Sequence, residues 1–251
     1  MIKRRIPPTR FPDAVAVTYQ RRLLLLVRKM HEITMQEFDR SLTPQIQSYR
    51  SDGDELNAVQ KLLQLISAMI FNTIDDDEAE DAAEEFVEGI NRFTKKNLND
   101  QAQVANINPL DYEDWIEDYV RSSIKQNVKY IKSIPEKYFN SIETIVYEGM
   151  KSGKSIADIR EQLVKQYHVS QSRAQFIAVD QSGTIHGQLV ATRHQAMGVN
   201  KFEWVTSNDE RVRKSHEALG GRVFSYKQPP AEGLPGEPYR CRCTAYPVFE
   251  K

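Results

Sequence analysis

Apolar residues recur at spacings of three and four along most of the first two thirds of this chain, the signature of helices that each bury one face. After Pro7, Pro8 and Pro12, Asp13 can cap a first helix whose stripe is Tyr19, Leu23, Leu26, Met30 and Ile33. Thr43-Pro44 and Asp52-Gly53 break the pattern. Asp52 with Glu55 then predicts the cap of a second helix carrying Leu56, Val59, Leu63, Ile66 and Ile70. A third carries Phe86, Ile90 and Phe93. Asn108-Pro109-Leu110-Asp111 reads as a helix start, with Asn as cap and Pro in the first turn, and the helix it opens is expected to bury Trp115, Tyr119, Ile124, Val128 and Ile131. It should stop near Ser133, because Pro135 disfavours helical geometry at the residue before it. A fifth helix from Pro135 carries Phe139, Ile142 and Val146, and ends at Gly149 or Gly153. Ser155 opens a sixth with Ile156, Ile159, Leu163 and Tyr167. Six one-sided helices need one another, which predicts a helical bundle or arm.

The pattern changes near the C-terminus. A seventh helix is expected over 170–197, with Ala174, Ile177, Ile185 and Leu189 inward and Gly198 as terminator. Its other side, with Arg173, Asp180, Gln181, His186, Arg193 and His194, reads as polar surface. Gly183 and Gly187 permit close approach of another element, expected to be a sheet. From residue 199 to 206 the alternation of Phe202, Trp204 and Thr206 with polar neighbours predicts a strand. Ser207 with Glu210 forms a capping box for a short helix closed by Gly220-Gly221, which would set Asp209 and His216 on one face. Val223-Phe224 reads as a further strand. A stiff proline-rich loop over 228–238, either a surface crossover or a contact arm, leads to a last strand over 240–246. That strand would put Cys241 and Cys243 on one face and Arg240 and Arg242 on the other. The fold class is therefore α+β: a mainly helical N-terminal region, 1–150, and a small C-terminal α+β domain with a short sheet, 151–251.

The ordered string Trp204, Asp209, Arg213, His216, Gly220, Pro235-Gly236 and Cys241-Arg242-Cys243 resembles the phage Mu F-like head morphogenesis family, which includes the minor head proteins of the SPP1 type. The resemblance covers about the last 100 residues. It implies a structural virion component assembled in the host cytoplasm, associated with the portal protein and with capsid or scaffold proteins, and near packaged double-stranded DNA. Related domains are also joined to toxin or effector modules; the eight residues after Cys243 leave no room for one, which favours a structural role.

Charge adds a second layer. The net charge of −1 hides segregation: Lys3, Arg4, Arg5 and Arg10 are basic, residues 75–88 contain nine acids and no base, and residues 211–251 hold eight Lys or Arg against four Glu. The basic C-terminal part reads as solvated surface or as a face toward nucleic acid. The acids sit at a helix start, where the dipole favours them, and they lack the spacing of an EF-hand loop. No apolar run is long enough to span a membrane, and the basic N-terminus is followed by prolines rather than a signal-peptide core. Two cysteines one residue apart bond to each other only with strain, which points to a reduced protein.

No phosphate-binding lysine loop, nucleophile elbow or paired-histidine zinc helix occurs, so no enzyme is expected and no catalytic residue is assigned. Asp209, His216, Cys241 and Cys243 have donor types that suit zinc, yet the leading reading is a packed, hydrogen-bonded cluster without a cofactor. Two alternatives follow from these residues: a metal-dependent nucleic-acid enzyme built on the same four, and a DNA-binding protein ejected with the genome.

Overall fold

The computed structural model describes residues 6–48, 53–107 and 113–249. It is α+β, as the pattern predicts. Among the described residues the helices are α1 (Asp13–Glu37), α2 (Thr43–Ser48), α3 (Gly53–Phe71), α4 (Asp76–Ala105), α5 (Asp114–Lys151), α6 (Ile156–Ala196) and the single turn α7 (Lys214–Glu217). The strands are β1 (Lys201–Val205), β2 (Val223–Ser225) and β3 (Thr244–Val248), in one antiparallel sheet of order β2-β1-β3. The chain divides into two compact units. One is built from Met1–Tyr19, Ala83–Asn127 and Phe176–Lys251, the other from Gln20–Ala82 and Val128–Gln175. The expected caps at Asp52 and Asn108, and the basic residues Lys3, Arg4 and Arg5, lie outside the described residues.

Several local signals act as their chemistry dictates. Asp75 caps α4 by accepting the Glu78 amide at 2.7 Å, and the acids of the first turn lie toward the positive end of the helix dipole. Ser155 and Asp158 form a reciprocal capping box at α6: the Ser155 amide donates to Asp158 Oδ2 and the Asp158 amide to Ser155 Oγ. Gly198, at φ +78°, ends α6, and the Val199 amide reaches back to the His194 carbonyl at 2.8 Å.

Other expectations are corrected. Thr43-Pro44 does not break the helical path, because a π-helical stretch (Phe38–Leu42) leads directly into α2. Pro44 is carried within this continuous path one residue after the π-helical stretch, where the Thr43 amide bonds the Phe38 carbonyl. Phe38 and Leu42, four residues apart, are both fully buried. Pro135 lies inside α5 instead of ending it. Ile131, Ile134, Tyr138 and Ile142 are buried on both sides of it, and their burial outweighs the roughly 3 kcal/mol that an internal proline costs. The predicted sixth and seventh helices are the single α6, since no glycine or proline separates Tyr167 from Ser170. Along α5 the buried stripe is Ile116 and Val120, one position on from Trp115 and Tyr119; Trp115 is exposed. Leu56 in α3 is exposed as well.

The largest correction concerns α6. The side that reads as polar surface is interior: Asp180, Gln181, His186, Arg193 and His194 are all buried. Each finds a partner within its own unit, which is the condition for burying polar groups. Arg193 donates to Glu113 at 2.6 and 3.1 Å and to Asn91 Oδ1 at 2.6 Å. His186 Nδ1 meets Thr94 Oγ1 at 3.1 Å, and His194 Nδ1 meets the Tyr226 hydroxyl at 2.6 Å. Burial, aided by Arg193 for His186 and by His186 for His194, pushes both imidazoles down to about 3, so both are neutral.

The start of the described chain completes this unit. Thr9 donates its hydroxyl to the Ala245 carbonyl at 2.7 Å, Thr244 donates to the Thr9 carbonyl at 3.2 Å, and Tyr246 donates to the Ile6 carbonyl at 3.2 Å. Gln101 of α4 holds the same segment through the Pro7 carbonyl at 2.9 Å. Among the described residues no helix is long and apolar enough to cross a membrane.

Candidate functional site

The site grows from the central strand. In β1 the alternation of the sequence is realised, with Phe202 and Trp204 fully buried and Lys201, Glu203 and Val205 less so. Trp204 sits opposite Ala245 of β3 in the register. The connection from β1 to β2 closes on the same residue: the Trp204 amide donates to the Arg222 carbonyl, and the Gly221 amide donates to the Trp204 carbonyl, both at 2.9 Å. Gly221 has φ +74°, a conformation that favours glycine. This connection carries α7, which turns His216 inward until it is 2% exposed, edge-on to the Trp204 indole at 5.3 Å. Gly220 lies against Thr206 and Glu217 with no room to spare, since an added Cβ would come within 3.1 Å of the Glu217 carbonyl.

The capping box at Ser207 does not form a helix. Asn208 has φ +53°, which interrupts helical geometry, and Asp209 accepts the Arg211 amide in a side-chain turn. Asp209 and His216 therefore do not share a helix face. Asp209 is instead an arginine clamp, accepting Arg211 at 2.9 Å and Arg242 at 2.8 Å. Burial opposes its ionisation, but the Arg211 hydrogen bonds and the two guanidinium charges outweigh this and hold its carboxyl below the usual range.

The cysteine segment is not the start of a strand either. Arg240, at φ +54°, forms a turn in which the Cys241 amide donates to the Pro238 carbonyl, and β3 begins only at Thr244. The Arg240 amide is held by Asp180 of α6 at 3.0 Å. The alternation survives without the strand: Cys241 and Cys243 are both buried, while Arg242 reaches the other way to Asp209, to Asp13 at 2.7 Å and over the Phe11 ring. Arg240 is exposed. Gly183 and Gly187 do allow a close approach, but by the loop rather than by the sheet. A Cβ at Gly183 would run into the carbonyls of Cys241 and Gly236, and one at Gly187 into that of Pro235. Pro235 and Gly236 are accordingly buried against α6, with Gly236 at φ +100°. This half of the proline-rich loop is packed interior.

Three groups converge. His216 Nδ1 lies 3.5 Å from Cys241 Sγ and 3.6 Å from Cys243 Sγ, and all three side chains are buried. Asp209 does not take part in this convergence. The other ring nitrogen, Nε2, faces Glu232 Oε2 at 3.5 Å and Arg213 Nη1 at 3.4 Å. Arg213 also donates to the Tyr239 carbonyl, tying α7 to the loop. The two thiols are pushed in opposite directions. The Cys243 hydrogen bond, helped against burial by the Cys243 and Gly236 amides and by His216, brings the Cys241 thiol below its usual range. Cys243, as the donor in that bond and itself buried, is pushed up. A cleft of about 240 Å³ opens onto the three groups, with Arg211, Arg213, Arg240 and Arg242 in its lining.

Two contributors escaped sequence reasoning. Glu232 sits among prolines, with no periodicity to mark it, and Asp180 is one of many polar residues on α6. Both matter only through the turn that brings the loop back over the helix.

Residues 140–246 match the family model described as Phage Mu protein F like protein. The matched segment begins within α5, contains all of α6 and ends in β3, so every residue of the motif string lies inside it. Two curated relatives are similar over part of their length. An uncharacterized protein of Haemophilus influenzae is 35% identical over 136 residues, covering 54% of this chain and 30% of that protein. An uncharacterized protein of Methanocaldococcus jannaschii is 32% identical over 117 residues, covering 46% of this chain and 18% of the relative. The chain thus spans less than a third of either relative. No solved structure matches.

Proposed function

We propose that this chain is a phage minor head protein: a structural component of the virion, associated with the portal vertex, that performs no catalysis. The observation that carries the reading is the Mu F-like match over 140–246, the segment that holds every residue of the motif string. The roles of those residues support a structural purpose. Trp204 fills the core, Gly236 and Pro235 seat the loop on α6, Arg213 ties α7 to the loop, and Arg242 bridges two carboxylates. On this reading the helical elements present docking faces to the portal protein and to capsid or scaffold proteins, and the arginine-lined cleft faces packaged DNA.

The test is co-expression with the portal protein of the same phage, followed by purification through a tag on the portal alone. Recovery of this chain in a fixed ratio, and its presence in purified particles, is the expected result. A chain that neither co-purifies with the portal nor enters particles would overturn the proposal. The four arginines also favour a second reading, in which the protein contacts DNA and leaves with it. That predicts binding to duplex DNA that weakens steeply with salt, and loss of the protein from particles after genome ejection.

A further inference from the structure

We infer that His216 Nδ1, Cys241 Sγ and Cys243 Sγ are three ligands of a zinc ion whose fourth position opens into the arginine-lined cleft. The inference departs from the packed-cluster reading of the sequence, and it rests on four observations that one bound ion accounts for together.

The first is distance. Tetrahedral zinc with bonds of about 2.3 Å to sulfur and about 2.05 Å to imidazole nitrogen holds those two ligand atoms about 3.5–3.6 Å apart. The observed separations from Nδ1 are 3.5 and 3.6 Å. The second is valence. A neutral imidazole nitrogen has either one lone pair or one proton, so it bonds only one of the two sulfurs within its reach, and the second is left to the weak bond between the thiols. A cation bound to two thiolates and the nitrogen lone pair satisfies all three. Soft sulfur with borderline imidazole is a donor set that selects zinc among the common divalent ions.

The third is the shell behind the ligands. A metal on Nδ1 fixes the remaining proton on Nε2, which has the acceptor Glu232 Oε2 at 3.5 Å and the donor Arg213 Nη1 at 3.4 Å, so zinc binding requires that proton to be directed to Glu232 and away from Arg213. A carboxylate behind a ligating histidine is the usual means of fixing its tautomer and ring orientation. The fourth is access. The three ligands come from α7 and from the extended segment before β3, and the remaining direction opens to the cleft of about 240 Å³ rather than to a fourth protein ligand. Asp209 lines the same cleft, but Arg211 and Arg242 already engage it, so a water molecule completes the set. Three protein ligands and an open position are the arrangement that leaves zinc able to take an exchangeable oxygen or anionic ligand, with four guanidinium groups nearby to favour an anion.

The full-length chain should be purified without chelator from zinc-supplemented cells and its metal content measured by elemental analysis. One zinc per chain is expected. Removal by a strong chelator should lower the melting temperature by more than about 5 °C, and added zinc should restore it. Cobalt loaded into the stripped protein should give the thiolate-to-metal charge-transfer absorption of a two-sulfur site and four-coordinate visible bands. Cys243→Ser and His216→Gln should each weaken zinc binding at least tenfold. Because a buried substitution can itself unfold the protein, the wild-type zinc count and the cobalt spectrum stand as independent readouts. Metal-free wild-type protein whose melting temperature ignores both chelator and zinc would overturn the inference. So would a cobalt spectrum without sulfur charge transfer, or a folded Cys243→Ser variant that retains zinc at wild-type affinity. None of these outcomes bears on portal association, so this inference and the proposed function can fail separately.

Discussion

Mild acid should destabilise this protein well before its carboxylates titrate. His186 and His194 are 1% and 0% exposed on α6, each with one ring nitrogen hydrogen-bonded and Nε2 without a partner among the described protein atoms. Their folded values are about 3 against 6.5 for the free side chain, so between pH 6.5 and 3 the unfolded chain binds protons that the folded chain refuses. Stability contributed by the neutral rings is therefore full above pH 6.5 and is lost as pH falls toward 3. From pH 7 to pH 5 each histidine costs about 2 kcal/mol, and the pair about 4 kcal/mol, a large share of a typical 5–15 kcal/mol. The result at pH 5 depends little on the folded value, since both rings are still far from protonation there. Half-buried His31, lowered chiefly by burial and further by the charges of His168 and Arg160, adds to the same trend. Urea melts at pH 7, 6 and 5 should show the loss approaching about 2.7 kcal/mol per pH unit below pH 6 for two protons, and His186→Asn should remove close to half of that slope. Flat stability between pH 7 and 5, or imidazole NMR titrations of both residues near 6.5 in the folded protein, would refute the burial argument.

Trp204→Ala should cost about 3–5 kcal/mol through the cavity it leaves in the sheet core, whereas Arg242→Ala, whose partners are partly exposed, should cost about 1 kcal/mol. Thermal melts of both variants check the assignment of faces, and the reverse order would show it to be backwards. Gly187→Ala should destabilise by roughly 1–3 kcal/mol despite the helix propensity gained, because its methyl group meets the Pro235 carbonyl. An increase in melting temperature would mean that the loop does not seat on α6.

Much of the fold follows from local pattern. The helical faces of α1, α3 and α4, the caps at Asp75 and Ser155, the stop at Gly198 and the alternation through Phe202 and Trp204 are determined by residues within one or two turns of each other, so the sequence carries them directly. The inward facing of Cys241 and Cys243 is equally local, since alternate residues of an extended chain point the same way whether or not a strand forms. What tertiary structure decided is whatever depends on partners far along the chain. Pro135 stays within a helix because buried residues on either side of it outweigh its cost. The polar side of α6 is interior because Glu113, Asn91, Thr94 and Tyr226 arrive from other elements to satisfy it, and no periodicity within α6 encodes their arrival. The candidate site shows the same division. The types His, Cys and Cys are legible in order, but Asp209 was equally eligible until the left-handed Asn208 and two arginines drew it away. Only the turn at Arg240, pinned by Asp180, brings both sulfurs to a single imidazole nitrogen.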